Sequence, residues 1–266
     1  MKKFIALLMS VVLCLCVCSA CGGGADPAKD LENAKEAGKI VVAITNFAPM
    51  DYHPDEASKD WIGFDADMAK AFGEYLGVDV EFKEIEWDKK VLELNNGSID
   101  VVWNGMTITG EVTGAMDVGV AYCKNKQVVV VKKDIADTIK SKEDLKKLTF
   151  AAESESAGAE CLDELNIEYA AVGSQGMALL EVNSGTSQAC VIDLLMAGAM
   201  IGEGTDNPDL TMVLDLSEEE YGVGFRQGSN LVPEFNEFWK KAYADGTVQK
   251  TAEKYGIAQN LIDPEK

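Results

Sequence analysis

Short apolar runs alternate along this chain with stretches in which apolar residues return every third or fourth position. The runs fall at 39–45, 78–85, 99–103, 128–131, 148–152, 167–172, 189–193, 210–214 and 221–225, and each predicts a strand. Helical spacing occupies 65–75, 88–95, the stretch from the 154–158 loop through 165, 175–183, 194–201, 233–245 and 248–255. Gly77 and Gly97 close the first two helices, and Ser141-Lys142-Glu143-Asp144 resembles a capping box before a short one. Strands and helices in alternation predict parallel sheets covered by helices. The order strand–helix–strand–helix–strand occurs over 39–103 and again over 148–193, so the expected fold is α/β with two similar lobes. The apolar segment 127–131 would carry the chain out of the first lobe, and the segment near 216–221 would return it. Lobe 1 is then 39–126 plus 220–266, lobe 2 is 127–219, and two crossings make a hinge.

One segment carries candidate chemistry. Asn95-Asn96-Gly97-Ser98-Ile99-Asp100-Val101-Val102-Trp103-Asn104-Gly105-Met106-Thr107-Ile108-Thr109 reads as a helix end, a buried strand, and a turn lined with amides and hydroxyls. Turns at the carboxyl ends of parallel strands are where open α/β sheets hold small polar ligands. Asp193 is a second candidate, because an acid directly after an apolar strand is poorly explained by packing.

The amino terminus changes the picture of where the protein works. Met1-Lys2-Lys3 precedes an apolar run over 4–18, built like a secretory signal. That run is too short for a spanning helix. Ser19-Ala20-Cys21-Gly22-Gly23-Gly24 is similar to a bacterial lipoprotein cleavage site, which implies cleavage before Cys21 and a diacylglycerol on its sulfur. Cys18 stands where that motif usually carries leucine, and an ordinary signal cut near Ala20 is the alternative. Residues 21–38, small and polar, would form a tether and a first helix around 31–37. Lipid chains anchor through buried methylenes, so the mature protein would sit on the outer side of the cell membrane rather than within it.

The chain has 24 basic and 45 acidic residues, a net charge of −21. Losing Lys2 and Lys3 with the signal leaves 22 basic residues and a net charge of −23. Such a balance excludes a basic nucleic-acid footprint and favours solubility through self-repulsion. Of the seven cysteines, Cys14, Cys16 and Cys18 would leave with the signal and Cys21 would be lipidated. Cys123, Cys161 and Cys190 remain, widely spaced; one disulfide is possible, and three free, mostly buried thiols fit better. His53, the single histidine, sits in the turn-like Asp51-Tyr52-His53-Pro54-Asp55. No zinc site is expected from that inventory, and no cofactor. Arg226 is the single arginine, so any bidentate guanidinium clamp must use it.

Five motifs in order resemble the bacterial extracellular solute-binding proteins of the polar amino-acid type, family 3. They are Phe47-Ala48-Pro49-Met50-Asp51-Tyr52, Gly63-Phe64-Asp65-Ala66-Asp67-Met68-Ala69-Lys70-Ala71, the strand and threonine-rich turn through Thr109, Gly185 to Asp193, and Tyr221-Gly222-Val223-Gly224-Phe225-Arg226. The resemblance implies a type II periplasmic-binding-protein-like fold. It implies a monomer with no chemistry of its own that clamps an amino acid or related amine and delivers it to an ABC permease in the membrane. By the same resemblance Phe47 packs on the ligand, and Trp87 lines its other side, where an indole face favours apolar, aromatic or cationic groups. Asn104, Gly105, Thr107 and Ser156 hold its polar groups, and Asp193 binds its α-amino group. The family's carboxylate-gripping arginine is absent, since Val112 stands in its place. Three readings stay open: amides at the helix start near Ser156 hold a carboxylate, Arg226 substitutes, or the ligand has no free carboxylate. Glu155, where the family has glycine, would crowd the site or pair with a cation. Two other classes also stay open, an enzyme on the same scaffold (dehydratase-like or lytic) and a ligand-sensing domain. The sequence offers no nucleophile–base pair, phosphate loop or metal cluster for the first, but its abundant carboxylates keep paired acids in play.

Overall fold

Short apolar runs, rich in valine and isoleucine at 40–44 and 128–131, mark strands of the two sheets. The computed structural model describes residues 26–55 and 57–265; the signal-like segment and Cys21 lie outside them. The strands are β1 (Lys39–Ile44), β2 (Asp79–Glu84), β3 (Val101–Thr107), β4 (Asp117–Val118), β5 (Cys123–Asn125), β6 (Gln127–Lys132), β7 (Phe150–Glu153), β8 (Tyr169–Val172), β9 (Ala189–Asp193), β10 (Leu210–Asp215) and β11 (Glu219–Phe225). One sheet has the order β2-β1-β3-β11-β4, with β5 also paired to β11; the other has the order β10-β6-β9-β7-β8. Two sheets with helices on their faces make a two-lobed α/β protein.

Each sheet is more mixed than the strand–helix alternation predicts. Pairs β1–β2, β1–β3, β7–β8 and β7–β9 are parallel, but β11 runs antiparallel to β3, and β6 antiparallel to both β9 and β10. The strands that enter and leave each lobe make the antiparallel pairs. The link between lobes is therefore a pair of adjacent antiparallel segments, with Glu219 opposite Asn125 and Tyr221 opposite Cys123. Valines of β6, expected as a strand that carries the chain out of the first lobe, form a strand buried on both faces and paired on both sides within the second sheet. Val128 and Val130 join the core that contains Ile192 and Leu210, while Val129 and Val131 join Phe150, Leu162 and Val191.

In lobe 1 the helix Phe64–Leu76 packs on an aromatic core of Phe72, Trp103, Phe235, Phe238 and Trp239. Gly63 starts it at φ 129°, with Met50 so close that a Cβ would lie 2.0 Å from its carbonyl oxygen; only glycine fits there. Residues expected as a tether are docked from Asp30 onward. The helix Asp30–Ala37 presents a buried Asp30 to Arg226, whose Nη2 lies 2.8 Å from Asp30 and 3.0 Å from Asp100. The same guanidinium donates to the carbonyls of Leu94 (3.1 Å) and Ile99 (2.7 Å). Cys123, Cys161 and Cys190 are free thiols, the first and last buried.

Removing one partner of a buried, hydrogen-bonded ion pair costs about 3–5 kcal/mol. Arg226→Met should therefore lower the urea midpoint by that equivalent, and Asp30→Asn by a comparable step. Equilibrium unfolding followed by far-UV circular dichroism checks both.

Candidate functional site

The carboxyl ends of β1, β3, β7 and β9 converge on a cavity between the lobes, about 660 Å³ including its opening to solvent. All seven ligand-contact candidates, Phe47, Trp87, Asn104, Gly105, Thr107, Ser156 and Asp193, line it. The local structure differs from expectation in one respect. Asn104, Gly105 and Thr107 lie within β3 rather than in a turn after it. Their polarity suggested a turn, but β3 pairs with β11 as far as Thr107 opposite Tyr221, and cross-strand pairing overrides composition. Gly105 bends the strand at φ 55°, and a Cβ there would lie 2.5 Å from the Phe47 ring. Glycine thus lets Phe47 close on the strand.

Most polar atoms of these residues already have protein partners. The Gly105 N–H donates to Asp65 Oδ2 at 2.6 Å, which also accepts from the Tyr122 hydroxyl at 2.8 Å. The acid of the Gly63-Phe64-Asp65 motif thus holds the site strand from behind. Asn104 and Thr45 exchange two bonds, Thr45 N–H to Asn104 Oδ1 and Asn104 Nδ2 to Thr45 Oγ1, both 2.7 Å. Thr107 Oγ1 donates to Glu219 at 2.9 Å. Ser156 Oγ accepts the Ala159 N–H at 3.1 Å and so caps its own helix, Ala157–Glu164. Trp87 reaches the cavity, and the Lys90 ammonium lies over its ring, 4.7 Å from the centroid.

Asp193 ends β9 at the floor of the cavity, 3% exposed. Its carboxylate accepts from the amides of Asn125 and Gln175 and from the Tyr221 hydroxyl at 2.6 Å. Its own N–H donates to Gln175 Oε1 at 2.9 Å. Asn125 also donates to Glu219 at 2.6 Å, and Gln127 Nε2 donates to the same oxygen at 2.9 Å. Burial and the nearby Glu219 charge push the Asp193 carboxyl up to about 7, although its donors favour the ionised form.

Several site residues escaped the sequence reading. Glu153 ends β7, adjacent to β9, and is 5% exposed. Burial and the Asp193 charge push its carboxyl up to about 8, with Lys90 opposing. It meets the criterion that singled out Asp193, an acid at the end of an apolar strand; the strand simply runs one residue past the expected Ala152. Lys90, on the helix Lys90–Asn95 of lobe 1, donates to the Glu155 carbonyl of lobe 2 at 2.9 Å, and burial lowers its pKa. Thr109 Oγ1 makes a second bond between lobes, to Glu160 at 3.1 Å. Asn125 and Gln175 carry no local signal, since their partners lie 68 and 18 residues away. Arg226 is committed to Asp30 and Asp100, not to the cavity, which removes it as a substitute carboxylate clamp.

Comparison with known proteins places this architecture. The model for bacterial extracellular solute-binding proteins, family 3, matches residues 40–258. The chain belongs to that family. It is 29% identical over 266 residues to a "probable histidine-binding protein" of Neisseria gonorrhoeae, covering 96% of each chain. It is 27% identical to the arginine-binding extracellular protein ArtP of Bacillus subtilis, covering 96% of this chain and 98% of that one. Among solved structures, an ancestral amino acid-binding protein described as a precursor of cyclohexadienyl dehydratase matches at 31% identity and TM-score 0.77, covering 85% of this chain and 98% of that one. Family members are extracytoplasmic solute-binding proteins, and the relatives named here bind amino acids.

The buried acids give the family-3 chain a pH signature. Asp193 and Glu153 in the cavity, and Asp65 behind β3 at about 7, all bind protons more tightly folded than unfolded. Asp51, buried beside Asp65, shifts in the same direction through desolvation. The folded state then holds more protons than the unfolded state from about pH 4 to about pH 8, so stability falls as pH rises across that window. The melting temperature without ligand should drop steadily from pH 5 to pH 8, and Asp51→Asn should flatten the slope. A scanning calorimetry series with Asp51→Asn alongside checks this.

Proposed function

We infer that this chain is the substrate-binding component of an ABC importer. It captures an amino acid or related amine-bearing small molecule between its lobes, works as a monomer, and passes the solute unaltered to a membrane permease. After loss of residues 1–20, Cys21 would anchor it by lipid to the outer side of the cell membrane. Residues 39–126 and 220–266 would then move as one lobe and 127–219 as the other.

One observation carries the reading. Asp193 is a nearly fully buried acid at the floor of an interlobe cavity, held by three donors and, among the described residues, by no cation. Buried carboxylates without a counter-charge are costly, and a ligand ammonium supplies that charge. The histidine- and arginine-binding names of its relatives agree with an amine-bearing solute. The hinge offers a closing mechanism, and Lys90 and Thr109 offer the bonds that hold it shut.

A second reading has one observation in its favour. Glu153 and Asp193 are neighbouring acids with proton affinities suited to acid–base work, on a scaffold similar to a precursor of a dehydratase. Incubation with each bound solute, followed by mass spectrometry, separates the two: the receptor returns it unchanged.

Ligand that binds only the folded state at a hundred times its Kd adds about 2.7 kcal/mol of stability. Thermal-shift screening of the twenty amino acids, polyamines and small peptides should reveal such a solute. Asp193→Ala should abolish its shift. A full shift in that variant removes Asp193 from the site.

A further inference from the structure

The charge balance of the cavity says more about the solute than its place in the family does. Five carboxyl side chains line it, those of Glu111, Glu153, Glu155, Glu160 and Asp193, against one cation, Lys90. That cation is already engaged: its Nζ donates to the carbonyls of Glu155 and Trp87, at 2.9 and 3.4 Å, and lies over the Trp87 ring. The single arginine is buried elsewhere in lobe 1.

Four of these carboxyls fall into a deep pair and a shallow pair, and the fifth residue, Glu155, is exposed. Glu153 and Asp193 are buried, and they end neighbouring parallel strands. Glu111 is exposed and Glu160 half-buried, so this pair lies at the mouth, beside the buried side chain of Val112. Burial, and the charge of nearby Glu111, push the Glu160 carboxyl up. Apolar side chains of Val91, Met106, Val112 and Met196 line the same cavity. A cavity with an acidic floor, an acidic mouth and apolar walls matches a molecule with a cation at each end and methylenes between. A carboxylate placed here would meet like charge at either end, least screened by water at the buried floor.

Resting on the reading of this cleft as an amine-binding site, we propose that its solute is an aliphatic dication without a free carboxylate, a diamine. Glu153 with Asp193 seats one ammonium, and Glu111 with Glu160 seats the other. Val112 keeps the mouth free of positive charge.

Lysine and cadaverine test this directly, because they differ only by the carboxylate. Titration calorimetry on the purified protein at fixed pH and ionic strength should show cadaverine binding at least tenfold tighter than lysine, with lysinamide also tighter than lysine. Glu153→Gln should weaken cadaverine at least tenfold, and Val112→Arg should move the preference toward lysine. The comparison on the unaltered protein needs no variant to fold. Lysine binding as tightly as cadaverine, or tighter, overturns the dication and leaves the amine-binding cleft standing. Absence of binding by lysine, cadaverine, lysinamide and every other amino acid and amine in the screen overturns both.

Discussion

The constraint on which this molecule turns is the burial of a carboxylate at the junction of its lobes. Asp193 belongs to the lobe 2 sheet, but two of its three side-chain donors come from the strands that cross between lobes: Asn125 from β5 and Tyr221 from β11. Asn125 bonds Glu219 as well, so one amide ties the cavity floor to the return crossing. The two crossing strands, β5 and β11, thus bond directly to the acid on the cavity floor. On the proposed reading, an ammonium on Asp193 would change the strength of the bonds made by both crossings and so couple occupancy to closure.

Lobe 1 shows the same economy. Asp65 carries no ligand role, yet its bond to the Gly105 N–H fixes the bend in β3, and that bend admits the Phe47 ring. Phe47 in turn packs edge-on to Tyr221, centroids 6.4 Å apart. A continuous path of contacts thus runs from the glycine–aromatic–acid motif through the site strand to the hydroxyl that bonds Asp193. The motif earns its place in the sequence by supporting the cavity from behind.

Much of the fold was legible in periodicity. β9 begins and ends where its apolar run does, and the helix after Gly63 differs by one residue at each end. The failures share a cause. Polar residues inside β3 read as a turn because nothing local announces that β11, more than a hundred residues later, will pair with them. The four-valine run read correctly as a strand, but its place between β10 and β9 did not, since a short apolar run does not reveal its partners. Within the site, the residues found were those beside recognisable motifs. Glu153, Lys90, Asn125 and Gln175 act through the position of a partner lobe or strand, which single-residue chemistry does not encode.

What the hydroxyls and thiols do bears on receptor against catalyst. Thr107 donates to Glu219, Thr109 to Glu160, and Ser156 caps its helix, so each of these cavity hydroxyls is paired with a group that holds structure. None is bonded to a histidine or lysine base. Burial raises the Cys161 thiol to about 11 and raises Cys190 further, which makes both poor nucleophiles. Of the other titratable cavity groups, Lys90 is held by two carbonyls, and the acid at the floor, Asp193, is immobilised by three donors. A side chain held that firmly is suited to receiving a fixed positive charge. That fixed geometry agrees with the relatives named above, which are binding proteins.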